Sequence, residues 1–305
     1  MIATDSLDGL WSARRVLSRV GGGAIGGHAV LFYGAVGAGK STVALELAGL
    51  WLCTHPGPEG ACRECRPCVA FGRGKAVDFL HLAPKGPSNW IVKGAITPDR
   101  GDGDAAAISV QEFLRTAPLA ARNKVVWIED ADRLTSEAAN SFLKILEEPP
   151  DQARLVLTTA RVGSVLATIL SRCLAVRCGL PSTLDTGDLE PELSLLAEGS
   201  PGRLRAISER REWHLELLAL ARQMVAGPKG AALKLAEDFR ALCDKGPGEG
   251  SRRQVLAGLE ALAGLLRIVG GPHYRTEAIA EAHRLISGNG SASFVLDALF
   301  SRLMV

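Results

Sequence analysis

No uninterrupted apolar stretch of 18 residues occurs anywhere in this 305-residue chain. A helix that crosses a bilayer needs about 20 such residues, so no membrane span is expected. The most apolar stretch, Val255–Leu266, is short and carries Glu260. The N-terminus holds Asp5 and Asp8 and lacks a compact apolar block, which argues against a secretory leader. Net charge is scarce too: 35 basic residues against 33 acidic ones leave +2. That is not the footprint of a protein that coats DNA by charge alone. An even, dispersed set of cysteines is also missing. There are seven, and four of them fall within sixteen positions. A secreted disulfide framework has a different pattern, and a reducing, cytoplasmic setting is expected instead. No internal repeat is visible.

What is present is an ordinary folded composition, 47% apolar and 22% charged. At about 150 residues per domain, the length suggests two domains, or three if some are small. Residues 1–178 mix short β-like runs with helical patterns. The runs are Val30–Tyr33, Phe79–Ala83, Lys124–Ile128 and Leu155–Thr159. Strands alternating with helices predict a parallel sheet covered by helices. Residues 179–208, opened by Pro181, form a short polar zone that turns helical. From 209 onward the pattern is helical only. Val255, Leu256, Leu259, Leu262 and Leu266 recur at helical spacing, as do Val295, Leu296, Leu299, Phe300 and Leu303. These stripes predict a bundle, punctuated at Gly246–Gly250, Gly270–Pro272 and Gly288–Gly290. The segment Pro84–Ala107 is rich in Gly, Pro and Asp around Gly101-Asp102-Gly103-Asp104. It is expected to be an unstructured surface insertion rather than an acidic metal loop.

Gly34-Ala35-Val36-Gly37-Ala38-Gly39-Lys40-Ser41 fits the phosphate-binding pattern G-x-x-x-x-G-K-[ST], with a strand before it and a helix over Ser41–Leu52 after it. Glycines let backbone N–H groups close around phosphate oxygens, and the helix N-terminus adds a favourable dipole. Gly34, Gly37, Gly39, Lys40, Ser41 and Thr42 are therefore candidate nucleotide contacts. Lys40 would meet the outer phosphates and Ser41 would help hold Mg²⁺. The alternative is a relic loop that binds nothing. Such a loop also needs acids at a strand end. Lys124–Ile128 followed by Glu129 and Asp130 supplies them, unless they are merely a solvated turn.

Cys53, Cys62, Cys65 and Cys68 have the spacing C-x8-C-x2-C-x2-C. Paired C-x2-C turns present thiolates to zinc, and four thiolates leave no open position, so the site would be structural. An iron–sulfur cluster and free thiols are the alternatives. The fourth cysteine that a ferredoxin run needs before proline is missing. His55 and His81 are substitute ligands only at need. Cys173, Cys178 and Cys243 are expected to bind no metal.

Further on, Ser136 is expected to cap a helix whose apolar face is Phe142, Leu143, Ile145 and Leu146, stopped by Pro149-Pro150. Leu155–Thr159 ends in hydroxyls, and Thr159 either faces a terminal phosphate or simply closes a strand. Arg172, taken alone, would be a solvated surface group.

In this order the pieces resemble the clamp-loader subunits of bacterial DNA polymerase III, a branch of the AAA+ ATPases. The resemblance rests on the phosphate loop, the cysteine cluster, the acidic strand end, Ala139-Asn140-Ser141-Phe142-Leu143-Lys144-Ile145-Leu146-Glu147-Glu148-Pro149-Pro150 and Ser171-Arg172-Cys173. It covers residues 28–207, including His28-Ala29. It implies an α/β AAA+ domain over 1–178 with a zinc module at about 53–68, a helical lid at 179–208 and an all-α collar at 209–305. It also implies a five-subunit ring with tau/gamma and delta subunits that places the sliding clamp on primed DNA. Ser171-Arg172-Cys173 matches the family's arginine finger, which would put Arg172 at the ATP of a neighbouring subunit. Glu129, Asp130 and Thr159 would be the acids and the polar strand end of this chain's own site.

Two branches of the family carry these motifs. The delta-prime branch is short and often a weak ATPase, whereas the tau/gamma branch hydrolyses ATP. The chain resembles delta-prime more. About 97 residues follow position 208, and Glu129-Asp130 stands where the motors read Asp-Glu. Swapping the acids changes each reach by one methylene, and a misplacement near 1 Å can cost about 100-fold in rate. Gly199-Ser200-Pro201-Gly202-Arg203 resembles the lid segment where the motors place a second phosphate-sensing arginine, but its Pro-Gly and the position of Arg203 look more like delta-prime. A structural zinc ion, ATP or ADP with Mg²⁺, and weak or absent ATPase activity are the expectations. A tau/gamma-type motor and a structural ring member with a vestigial loop remain the alternatives.

Overall fold

The computed structural model describes residues 11–21, 27–57, 60–84, 89–98, 108–180, 186–226, 232–248, 250–270, 273–288 and 290–303. Packing divides the chain into two compact units, Met1–Ser182 and Thr183–Val305.

The first unit runs α1 (Trp11–Gly21), β1 (Ala29–Tyr33), α2 (Lys40–Leu52), α3 (Arg66–Gly72), β2 (Phe79–Leu82), α4 (Lys93–Ile96), α5 (Val110–Arg115), β3 (Lys124–Ile128), α6 (Ser136–Glu147), β4 (Ala153–Thr159), α7 (Ala167–Leu170) and β5 (Leu174–Arg177). Its sheet has the order β2-β3-β4-β1-β5 and every pairing is parallel. Successive side chains of a strand point to opposite faces, so each strand feeds two cores. Leu31, Val126, Ile128, Leu155 and Leu157 pack with Ile96, Phe113, Phe142 and Leu146 on one face. Val30, Phe32, Val125, Trp127 and Val156 pack with Ala13, Val43, Leu47 and Leu50 on the other. This is the continuous apolar signature of a parallel sheet covered on both sides.

Several boundaries differ from the sequence-based expectation. β4 begins at Ala153, two residues early, because Ala153 pairs with Lys124 across the half-buried Arg154. β2 ends at Leu82 and leaves Ala83 outside. β5 has no counterpart among the apolar runs of the sequence: it is a four-residue edge strand in which only Val176 is buried. The cap of α6 is Thr135, whose hydroxyl accepts from the Ala138 amide; Ser136 is the first residue of the helix itself. The insertion Pro84–Ala107 is not wholly unstructured. Ile91 exchanges backbone hydrogen bonds with Arg133 and Thr135, and Ile91 and Ile96 are buried. Gly101-Asp102-Gly103-Asp104 and Pro181 lie outside the described residues.

The second unit is helical throughout its described residues: α8 (Pro191–Leu196), α9 (Pro201–Glu209), α10 (Arg211–Ala226), α11 (Ala232–Asp244), α12 (Ser251–Ile268), α13 (His273–Ser287) and α14 (Ala292–Leu303). α12 packs against α8, α10, α11 and α13. Leu259, Leu262 and Leu266 of the first predicted stripe are buried, as are Leu296, Leu299, Phe300 and Leu303 of the second. Leu193 and Ala197 belong to the same core as Phe239 and Phe300. No helix among the described residues is long and apolar enough to cross a membrane.

Candidate nucleotide-binding and cysteine sites

In open parallel sheets, ligands sit beyond the C-terminal strand ends. The loop Gly34–Gly39 leaves β1 at that edge, and α2 begins at Lys40. Gly37 and Gly39 have φ of 76° and 79°, left-handed values that glycine adopts freely. Gly34 is required for a different reason. A Cβ there would lie 2.2 Å from the Cys178 carbonyl oxygen, just past β5. The Lys40 ammonium donates to the carbonyls of Gly34 (3.0 Å) and Ala35 (2.8 Å), which holds it inside the loop. Burial pushes its pKa down, with Cys178, Asp130, Asp132 and Glu129 pulling it back up. Ser41 and Thr42 occupy the first turn of α2. The Ser41 hydroxyl points to Glu129 Oε1 at 3.5 Å, so the loop and the acidic strand end converge.

Around Glu129 the structure adds residues that the sequence did not single out for this site. His81 Nε2 lies 2.9 Å from Glu129 Oε2, and its ring stacks on Trp127 at 4.1 Å. Asp130 has φ 48°, a left-handed conformation uncommon for a non-glycine residue. Burial pushes its carboxyl up, and the nearby charges of Asp132 and Glu129 add to the shift. Asp132 behaves oppositely. Burial would raise it, but hydrogen bonds from Thr159 and Arg161 outweigh that and hold it low. The fully buried Thr159 donates its hydroxyl to Asp132 (2.6 Å) and accepts from the Arg161 amide (3.0 Å). The Arg161 guanidinium closes on Asp132 at 2.7 and 3.0 Å. Thr159 thus sits beside the loop through its backbone, with its carbonyl accepting from the Gly34 amide at 3.3 Å. Its hydroxyl is committed to Asp132.

The residues fit a phosphate-and-metal site in kind. They offer a lysine ammonium, a loop of amides at a helix N-terminus, and a hydroxyl beside a carboxylate.

The four cysteines converge as their spacing predicted. Their sulfurs all lie within 4.8 Å of one another. Cys53 Sγ is 3.5 Å from Cys62 Sγ and 4.0 Å from Cys65 Sγ. A tetrahedral zinc with Zn–S near 2.3 Å places its sulfurs about 3.8 Å apart, so the donor set fits. Backbone amides of His55 and Cys62 donate to Cys53 Sγ at 3.3 Å each. At Cys65, burial works against ionisation, yet hydrogen bonds from Thr54 and Cys68 bring the thiol down to about 6. His55 pairs its ring with the Thr54 hydroxyl, and His81 belongs to Glu129. Among the described residues neither joins the cluster. Cys173, Cys178 and Cys243 stand apart, and burial pushes them up to about 12, 11 and 12.

Arg172 follows α7 and lies elsewhere. Its Nη1 donates to the Thr168 carbonyl (3.0 Å) and the Ser171 hydroxyl (3.3 Å), and its Nη2 pairs with Glu147 Oε1 at 2.7 Å. Leu174, two residues on, pairs with Val30, whereas Arg177 pairs with Tyr33 at the phosphate-loop end. Three strand steps, about 10 Å, separate those levels. His28, just before β1, bonds the Leu146 carbonyl and so ties the end of α6 to the same N-terminal edge.

The chain matches the family model described as DNA polymerase III, delta subunit, over residues 23–179. It is 38% identical over 164 residues to the DNA polymerase III subunit delta' of Pseudomonas aeruginosa, covering 54% of this chain and 47% of that protein. It is 31% identical over 199 residues to the subunit delta' of Escherichia coli, covering 62% and 56%. The chain therefore spans about half the length of these curated relatives. Subunits named tau/gamma also match, for example that of Haemophilus influenzae at 30% identity over 154 residues, 48% of this chain and 19% of that protein. In fold it is similar to a DNA polymerase III gamma subunit-related protein from Thermotoga maritima, with TM-score 0.55, 20% identity, and coverage of 96% of this chain and 100% of that one. The matched span is the sheet unit carrying the phosphate loop and the cysteine cluster, and on it the chain belongs to the DNA polymerase III delta-subunit family.

Proposed function

We propose that this chain is a delta-prime-type subunit of a bacterial clamp loader. It assembles with tau/gamma-type and delta-type subunits in a five-subunit ring that places the sliding clamp on primed DNA. In this scheme residues 179–208 are the lid and 209–305 the collar. The contribution of the chain to ATP hydrolysis is Arg172, offered to a neighbour. The observation that carries this is the position of Arg172. It lies at the N-terminal edge of the sheet, while the chain's own phosphate loop lies at the C-terminal edge. An arginine so placed cannot serve its own loop, but it suits a finger that stabilises charge across an interface.

The chain's own site holds nucleotide more readily than it hydrolyses it. Gly37, Gly39, Lys40 and Ser41 would cradle phosphates, and Ser41 with Glu129 would take the metal that the nucleotide brings. Asp130 then stands where a water-orienting glutamate is needed. It is one methylene shorter, which cuts its reach toward a water molecule, and a misplacement near 1 Å can cost about 100-fold in rate. The four cysteines would hold a structural zinc that pins the end of α2 to the start of α3.

Copurification of the full chain with its tau/gamma-type and delta-type partners tests this, with zinc and bound nucleotide measured in the product. The expected product is a mixed ring with zinc on this chain and slow hydrolysis by the chain alone. A chain that forms rings by itself and turns over ATP rapidly would instead be the motor.

A further inference from the structure

The acid that meets Arg172 is in an unfavourable place for a helix. Glu147 is the last residue of α6 and Glu148 its cap. Helix C-termini carry partial negative charge and disfavour carboxylates. Its ion-pair partner is Arg172, at 2.7 Å. The two residues lie 25 positions apart in sequence, on elements that pack into the same core and are each held by contacts other than this pair. The end of α6 is held by His28 on the Leu146 carbonyl and by the buried Ile145 and Leu146. The end of α7 is held by the buried Ile169 and by backbone bonds from Ser171 to Ala167 and from Arg172 to Ile169.

The guanidinium has five N–H donors in a rigid fork. Nη1 is occupied by the Thr168 carbonyl and the Ser171 hydroxyl, and Nη2 meets Glu147. Among the described residues the Nε–H meets no acceptor. The side chain is partly exposed, at 36%. Its plane is thus set by acceptors on two elements, while the Nε edge stays available.

We infer that Glu147 is a positioning residue for Arg172: it orients the guanidinium so that its free edge meets an incoming phosphate oxygen. This rests on the trans-acting role given to Arg172 above. Glu147 touches no nucleotide in this scheme and acts only through the arginine.

The test is a cycle of Glu147→Gln, Arg172→Ala and the double variant, each in the full chain reconstituted with its partner subunits. The readouts are kcat and KM for ATP of the assembled loader, with primed DNA and clamp present. Loss of orientation near 1 Å costs up to about 100-fold, so Glu147→Gln should lower kcat by about 5- to 20-fold with KM unchanged. Glu147→Asp should restore part of that loss. In the Arg172→Ala background, Glu147→Gln should have no further effect. Thermal melting of Glu147→Gln should match the wild type or lie above it, because the substitution removes an acid from a helix C-terminus. An equal loss in both backgrounds would overturn the inference, and so would a gain in rate from Glu147→Gln. If Arg172→Ala itself has no effect on the assembled loader, the trans-acting role fails instead, and the two failures are distinguishable.

Discussion

Replacing Gly34 with alanine should destabilise the chain severely, for a reason unrelated to nucleotide. The added Cβ would lie 2.2 Å from the Cys178 oxygen and 3.2 Å from its carbonyl carbon, where ordinary contact begins at 3.4 Å. One of the two backbones must retreat by about 1 Å, a misfit of the kind that overpacked sites cannot absorb. Neither is free to do so. The Cys178 amide donates to the Tyr33 carbonyl at 2.8 Å, and the Gly34 amide donates to Thr159 at 3.3 Å. Position 34 also has φ +152°, which side-chain-bearing residues rarely adopt. Overpacking and backbone strain at about 1–3 kcal/mol each sum to about 2–6 kcal/mol. At about 2–4 °C per kcal/mol for a chain of this size, the melting temperature should fall by about 5–20 °C. Circular dichroism melts of the full chain, without nucleotide, are the assay. Gly163→Ala is the control, because an added Cβ there meets nothing within 4 Å. A Gly34→Ala chain melting within about 1 °C of wild type would show that the loop and the Cys178 backbone absorb the extra carbon without strain.

Purified chain should carry one zinc; Cys68→Ser should lose it and melt lower, and iron with visible absorbance in its place would contradict the tetrathiolate zinc assignment. Asp78 is buried and accepts from the amides of Leu119, Ala120 and Ala121, each at 2.8 Å. Burial would raise its pKa, but those bonds outweigh it and hold the carboxyl low. Its folded pKa is therefore below the unfolded value, so its contribution is complete above about pH 4 and is lost as pH falls through the folded value. Asp78→Asn should cost about 1–3 kcal/mol at neutral pH and flatten the urea-stability profile below about pH 4; an unchanged acid limb would contradict this. In the helical unit, Gly258→Ala would bring a Cβ within 2.6 Å of the Cys243 sulfur. It should cost about 1–3 kcal/mol in urea unfolding, and adding Cys243→Ala should restore part of it; strict additivity would argue against the contact.

Much of the sheet unit was legible because its strands are buried on both faces. Lys124–Ile128, wholly buried, reads as an apolar run with its true limits. β5 was not legible, since an edge strand with one buried side chain leaves almost no pattern. The cysteine cluster and the phosphate loop were visible because their chemistry depends on local spacing. Other parts of the site depend on through-space pairing. His81 sits 48 residues before its partner Glu129, and Arg161 reaches Asp132 across 29 positions. No local pattern marks such pairs. Gly34 teaches a different lesson: its place in the motif suggested phosphate, while the structure shows that the neighbouring strand end already demands glycine there.

The most direct measurement is the DNA- and clamp-stimulated ATPase of a loader reconstituted with Arg172→Ala in this chain alone. The expected result is an assembled ring of normal composition with a hydrolysis rate at least tenfold lower, in line with the rate contribution of an arginine finger, about 10³-fold or more at the site it serves. An intact ring with unchanged ATPase would contradict it.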